Sequence, residues 1–220
     1  MIRALTVVAV LSLTDMARAS EPVRVAPWEL HNSFWMSLHE TLIEDAMRST
    51  PRARLALSAE QLSQWNEAVV AYRTAAGRGD MTFSPPMMIT SDAVTQVADD
   101  AAEPPADAPV VEALKRAAPL YRKYWWPADE RTNQFFITYA AAMLRASGDE
   151  LIQAHETVYR TKWPERVRAY ITPFGGQFGA YTITGRAGGV ITTMSSREAD
   201  YQGLRVIEMF LHEKIGRAHV

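Results

Sequence analysis

A chain of 220 residues that is 48% hydrophobic and 22% charged has room for one sizeable core. Its formal net charge of -2, without a long basic run, lacks the electrostatic footprint of a nucleic-acid binder. It has no cysteine, which excludes disulfides, thiolate metal sites, cysteine nucleophiles and a lipid-bearing cysteine anchor. The N-terminus reads as an export signal. Arg3 supplies the positive start, Ala4 to Leu13 is an apolar run too short to span a bilayer, and Ala17-Arg18-Ala19 is a small-x-small cleavage site. Residues 1–19 are therefore expected to be a signal peptide, with the mature chain starting at Ser20. The destination would be the bacterial periplasm or the exterior, with no stable membrane anchor after cleavage. The alternative is a buried N-terminal helix.

Downstream, PWELHNSFWMSLHETLIEDAM has helical periodicity, with Leu30, Phe34, Leu38, Leu42 and Ile43 on one face and Trp35 and His39 beside it. SAEQLSQWNEAVVAYRTAAGRG is a second helix, with a capping box at Ser58 and Gln61 and a stop at Gly77. Ser84-Pro85-Pro86 reads as a break, with a short helix over Ser91 to Ala102. ADDAAEPPADAP is loop-like. VVEALKRAAPLYRKYWW is helical with a kink or break at Pro119, and Trp125 and Trp126 read as packing anchors. Pro127 opens a helix that Gly148 ends, and DELIQAHETVYRTKW follows as another.

At Pro164 the texture changes. RVRAYITPF, GQFGAYTITG and GGVITTMSS read as three strands of a small antiparallel sheet, the last two joined by a turn around Arg186 to Gly189. Ser195 with Glu198 suggests a capping box for a helix from about Arg197 through Glu213, with Leu204, Ile207 and Leu211 as its buried stripe and Val206 and Phe210 adjacent to it. The fold class expected is α+β and mainly helical. A helical region (20–163) precedes a small antiparallel sheet and the start of a helix (164–213).

The last seven residues, KIGRAHV, break that helix's periodicity. The codons AAG ATC GGA AGA GCA CAC GTC encode them and, after the first base, match a common short-read sequencing adapter. Residues 214–220 are thus expected to be read-through at the edge of a DNA fragment, and the natural protein to continue differently after Glu213. The alternative is a genuine short C-terminus.

Three His-Glu pairs occur: His39-Glu40, His155-Glu156 and His212-Glu213. In H-E-x-x-H, two histidines four residues apart face one metal, and the glutamate takes a proton from the metal-bound water. The fourth positions on hold Ile43, Tyr159 and Gly216. Only His212-Glu213 follows a small sheet and sits among uncharged upstream neighbours (MFLHE), and only there is the fourth position in doubtful sequence. His39 and His155 read as ordinary structural or surface histidines. The glycine pairs Gly175-Gly176 and Gly188-Gly189 lack phosphate-loop spacing, and helix capping explains Ser195 and Ser196 better than nucleophilic roles.

The segment from about Tyr121 to Glu213 resembles a group of secreted bacterial proteins related to gluzincin-type zinc metallopeptidases. YWWPADERTNQFF, GAYTI and the terminal helix with Glu208, His212 and Glu213 carry the resemblance, and HNSFWMSLHETL resembles that group's first helix. It implies a zincin-like fold, zinc as cofactor, His212 as first metal ligand, Glu213 as general base and a peptide or protein substrate. The family's second histidine and further acidic ligand are not present here. Glu208 would support His212 from one turn away, or be a solvated or capping carboxylate. Tyr181 would stand on a substrate-facing edge strand, or be an ordinary core or surface strand residue. The parent protein is expected to be a secreted zinc metallopeptidase, and this chain by itself an inactive fragment with weak zinc binding at best. The alternatives are a non-enzymatic secreted or periplasmic helical binding or scaffold protein, and a metallopeptidase-like fold without activity. Substrate and oligomeric state are not legible.

Overall fold

The computed structural model describes residues 21–48, 57–77, 79–97, 102–105, 110–185, 189–201 and 203–215. In chain order they form β1 (Val23–Val25), β2 (Trp28–His31), α1 (Phe34–Met47), α2 (Ala59–Ala76), α3 (Pro85–Thr95), α4 (Val111–Tyr124) and α5 (Trp126–Tyr159). Then follow β3 (Val167–Thr172), β4 (Ala180–Thr184), β5 (Val190–Ser195) and α6 (Leu204–Ile215). The fold is α+β, mainly helical with one small sheet. The expected signal peptide and its cleavage site, residues 186–188 of the glycine-rich turn, and the tail from Gly216 onward lie outside the described residues. No helix among the described residues is long and apolar enough to cross a membrane.

The sheet corrects the expectation of three antiparallel strands. It has five, in the order β1-β2-β3-β5-β4, and is mixed: β2, β3 and β5 run parallel, whereas β1 and β4 run antiparallel to their neighbours. Of the two extra strands, β2 comes from the segment whose periodicity suggested helix, and β1 lies just ahead of it. Leu30 and Phe34 are four residues apart, yet Leu30 lies on β2, opposite Ala169 of β3. The helix starts only after Ser33, whose hydroxyl accepts from the Met36 amide at 3.3 Å. Strands this short carry too few side chains for a period of two to stand out.

Alternate side chains go to opposite faces of a sheet, and here the two faces have separate cores. Tyr170, Tyr181, Ile183 and Ile191 join the core formed with α1, α2, α3 and α4. Leu30, Ala169, Ala180 and Met194 join the core formed with α5 and α6. The sheet is thus a middle layer. On the first side Trp125 packs on Trp65 with centroids 4.7 Å apart, and Trp126 meets Phe34 edge-on at 5.5 Å, so both tryptophans anchor helices.

Helix α2 carries the expected capping box, with the Ser58 hydroxyl accepting from Gln61 and the Gln61 side chain accepting from the Ser58 amide. It ends at Gly77, whose φ of +80° favours glycine. Pro85 and Pro86 begin α3 rather than break the chain, because the first helical positions need no N–H donor. Pro119 is enclosed within α4.

Helix α5 runs 34 residues straight through Gly148, the expected stop. A β-carbon there would lie 3.2 Å from the Trp28 ring, so this glycine admits a close helix–sheet contact. Helix α6 starts at Leu204, later than expected. Ser195 ends β5 instead of capping a helix: its hydroxyl donates to the Pro173 carbonyl and accepts from the Arg197 amide. Ser196 donates to Asn133 at 2.6 Å and Arg197 pairs with buried Asp129, so this stretch is tethered to α5 and the helix begins after it. The stripe shifts accordingly: Val206, Ile207 and Phe210 are buried, Leu211 is partly buried, and Leu204 is 71% exposed.

Candidate functional site

The sequence directs attention first to α6. Its apolar side faces α5 and the sheet, which leaves Glu208 and His212 exposed, one helical turn apart. Of Glu213 only the helical backbone is described. Glu208 borders an open cleft of about 380 Å³ that α6 forms with Phe178 and Asp200. An adjoining cleft of about 360 Å³ is more apolar, with Phe135, Phe136 and Tyr139 of α5 on its wall. The two share Glu198 and Tyr201. Among the described residues no group of three His, Asp or Glu is arranged to hold a metal ion. The third residue singled out from the sequence, Tyr181, stands on β4 at the free edge of the sheet, but its side chain is buried on the opposite face from α6.

Tyr181 belongs to a second constellation, which sequence reasoning missed. Beneath β4, on the α1 side, lie His39, Glu40, Tyr72, Ser91 and Tyr181, all at most 3% exposed. The Ser91 hydroxyl donates to the Met87 carbonyl at 3.0 Å, so toward His39 Nε2, also at 3.0 Å, it acts as acceptor. His39 therefore carries its proton on Nε2, and Nδ1 accepts from the Tyr72 hydroxyl at 2.9 Å. Burial pushes this imidazole down to about 3, so it is neutral. With both ring nitrogens engaged, neither offers a metal a lone pair without losing a buried hydrogen bond. That geometry makes the first His-Glu pair a structural one.

Glu40 is fully buried. Its Oε1 accepts from the Tyr181 hydroxyl and its Oε2 from the Gly176 amide at 3.2 Å. Burial pushes the carboxyl up to about 8, the two hydrogen bonds oppose that rise, and Glu44 adds to it. Burial also raises the hydroxyls of Tyr72 and Tyr181 well above the usual phenol range. The sequence held one signal of this cluster: His39 and Glu40 are polar residues inside an apolar helical stretch, between Leu38 and Leu42. Their partners on α2, α3 and β4 were not readable.

His155 and His31 have packing roles. His155 lies against Tyr159 and Trp163, with centroids 4.7 and 4.9 Å away. His31 stacks on Tyr170 at 4.6 Å, and burial pushes it down to about 4.

Compared with protein families, with curated proteins and with solved structures, the chain matches none. Any functional reading therefore rests on its own residues.

Proposed function

We propose that this chain is the N-terminal part of a secreted zinc-dependent metallopeptidase with a zincin-like fold, in which His212 is the first metal ligand and Glu213 the general base. The observation that supports this reading is an order of elements. An antiparallel edge strand, β4, pairs with β5, and the chain then leads into α6, which packs on the sheet and carries His212-Glu213. An edge strand with one free side suits the capture of an extended peptide by strand addition. The helix then presents its polar face, with Glu208 one turn before His212. Zinc in such a site supplies Lewis-acid polarisation of the scissile carbonyl. One imidazole and one neighbouring carboxylate fall short of the three protein ligands of a catalytic zinc site. The chain as it stands is therefore inactive in this reading, and its parent supplies the remaining ligands after Glu213.

Long-read sequencing of the source gene across codon 214 tests this directly. A histidine four residues after His212, with a carboxylate further on, is the expected result. KIGRAHV followed by a stop codon overturns it. In the protein expressed from the intact gene, bound zinc measured by elemental mass spectrometry should fall on His212→Ala. A wild type without zinc leaves a secreted binding or scaffold protein as the better description.

A further inference from the structure

The Glu40 cluster has no part in the reading of α6 and stands independently of it. A buried carboxylate ordinarily has a cation beside it, because removing an unpaired charge from water costs far more than neutral hydrogen bonds return. No ion pair among the described residues includes Glu40. The titratable groups facing it are Glu44 and neutral His39 on α1 itself, Tyr72 on α2 and Tyr181 on β4. From α3 and β5 come only the neutral hydroxyls of Ser91 and Thr193, which lie beside Tyr181. None of these is a cation. A neutral carboxylic acid suits this site: Oε2, as its carbonyl oxygen, accepts from the Gly176 amide, and Oε1, as its hydroxyl oxygen, accepts from the Tyr181 hydroxyl.

The two partners of Glu40 belong to adjoining pieces of chain. Gly176 lies in the 175–179 loop, with φ +62°, and a β-carbon at Gly175 would meet the Gly179 carbonyl oxygen at 2.1 Å, so the loop's path depends on glycine. The Gly179 carbonyl is tied to the Ser195 amide at 2.8 Å, and β4 begins immediately afterward. Among the described residues β4 is paired on one side only. We propose that Glu40 is a proton-operated latch: as the neutral acid it stays buried between α1, the edge strand β4 and the 175–179 loop, and on losing its proton it draws in water and parts them, because hydrating an unpaired buried carboxylate outweighs the two hydrogen bonds it accepts. Release is local because β4 is the edge strand. On the solvent side Tyr181 is covered by Phe83, edge-on at 5.8 Å and itself 43% exposed. The carboxyl's elevation to about 8 sets the upper end of the range over which the latch opens.

Hydrogen exchange followed by mass spectrometry on the full chain tests this, with rates corrected for the intrinsic pH dependence of amide exchange. Between about pH 6 and about pH 8, protection of residues 176–184 should fall by up to roughly a hundredfold relative to β3 and then level off, because the proton is held up to about 8 when the carboxyl is buried and only to 4.5 when it is released. In Glu40→Gln, a neutral isostere, protection should stay level across that range. Equal losses in wild type and Glu40→Gln, or no loss in wild type, would overturn the proposal. Infrared spectroscopy gives a second readout that does not need the glutamine variant to fold. Wild type near pH 6 should show a protonated-carboxyl stretch that Tyr181→Phe shifts and that vanishes by about pH 9. Absence of that band near pH 6 sinks the latch.

Discussion

The hydroxyl of Tyr181 on β4 donates to the carboxyl of Glu40 on α1, joining residues 141 positions apart at the free edge of the sheet. This bond connects the two halves of the chain inside the core. It also turns a strand residue that the resemblance would place toward substrate into one directed inward. Its removal is a direct measure of how much the buried cluster contributes. Tyr181→Phe keeps the ring in its contact with Phe83 but leaves Glu40 Oε1 without that donor. A buried polar atom left unsatisfied costs about 1–3 kcal/mol, and urea denaturation near pH 6 should show a loss of that order. A change below about 0.5 kcal/mol would mean that water replaces the hydroxyl.

Stability should depend on pH in opposite senses through different groups. His39 and His31 are held below the ordinary histidine range, at about 3 and about 4. The unfolded chain therefore binds more protons at these sites once the pH drops below 6.5, and their contribution is complete above 6.5 and lost as pH falls. Glu40 is raised from 4.5 to about 8, so the folded chain holds a proton that the unfolded chain has released. Its contribution is complete below 4.5 and lost as pH rises to about 8. Between 4.5 and 6.5 two histidines oppose one glutamate, so stability still rises with pH. These three groups together place the maximum near 6.5. Denaturation midpoints across the pH range check this, and His39→Gln should weaken the acid limb while leaving the alkaline limb in place.

Gly148→Ala sets two effects against each other. Alanine is the better helix former by about 1 kcal/mol, while overpacking a core costs about 1–3 kcal/mol. Trp28 is 1% exposed and hemmed in by Trp163 and Phe210, at 5.7 and 6.3 Å, so it has little room to yield a few tenths of an ångström. The expected net effect is a destabilisation of roughly 1 kcal/mol, read as a lower Tm. A higher Tm would show that the Trp28 ring gives way.

The stripe of α6 makes a paired prediction. Phe210 is 2% exposed in the core with α5 and the sheet, so Phe210→Ala should cost about 3–5 kcal/mol. Leu204→Ala, at an exposed position, should stay within about 0.5 kcal/mol of wild type. Equal costs for the two would put the helix in the register first inferred from periodicity.

What the sequence determined by itself was local. The Ser58–Gln61 capping box, the Gly77 stop and the three strands after Pro164 were legible because each depends on residues within a few positions of one another. His212 and Glu208 were likewise legible as one turn of a helix, and the structure puts both on its exposed side. Gly148 misled because a glycine that ends a helix and a glycine that admits a tryptophan are the same letter, and Trp28 is far away in sequence. Ser195 misled because a capping pattern says nothing of the Pro173 carbonyl that claims the hydroxyl. Only the tertiary structure decided that β2 pairs in parallel with β3, that Tyr181 turns inward, and that Glu40 has two hydrogen-bond donors and, among the described residues, no cation. Sheet pairing and buried polar networks are contracts between distant segments. A side chain's hydration, and with it its charge, depends on which of those segments exclude water from it.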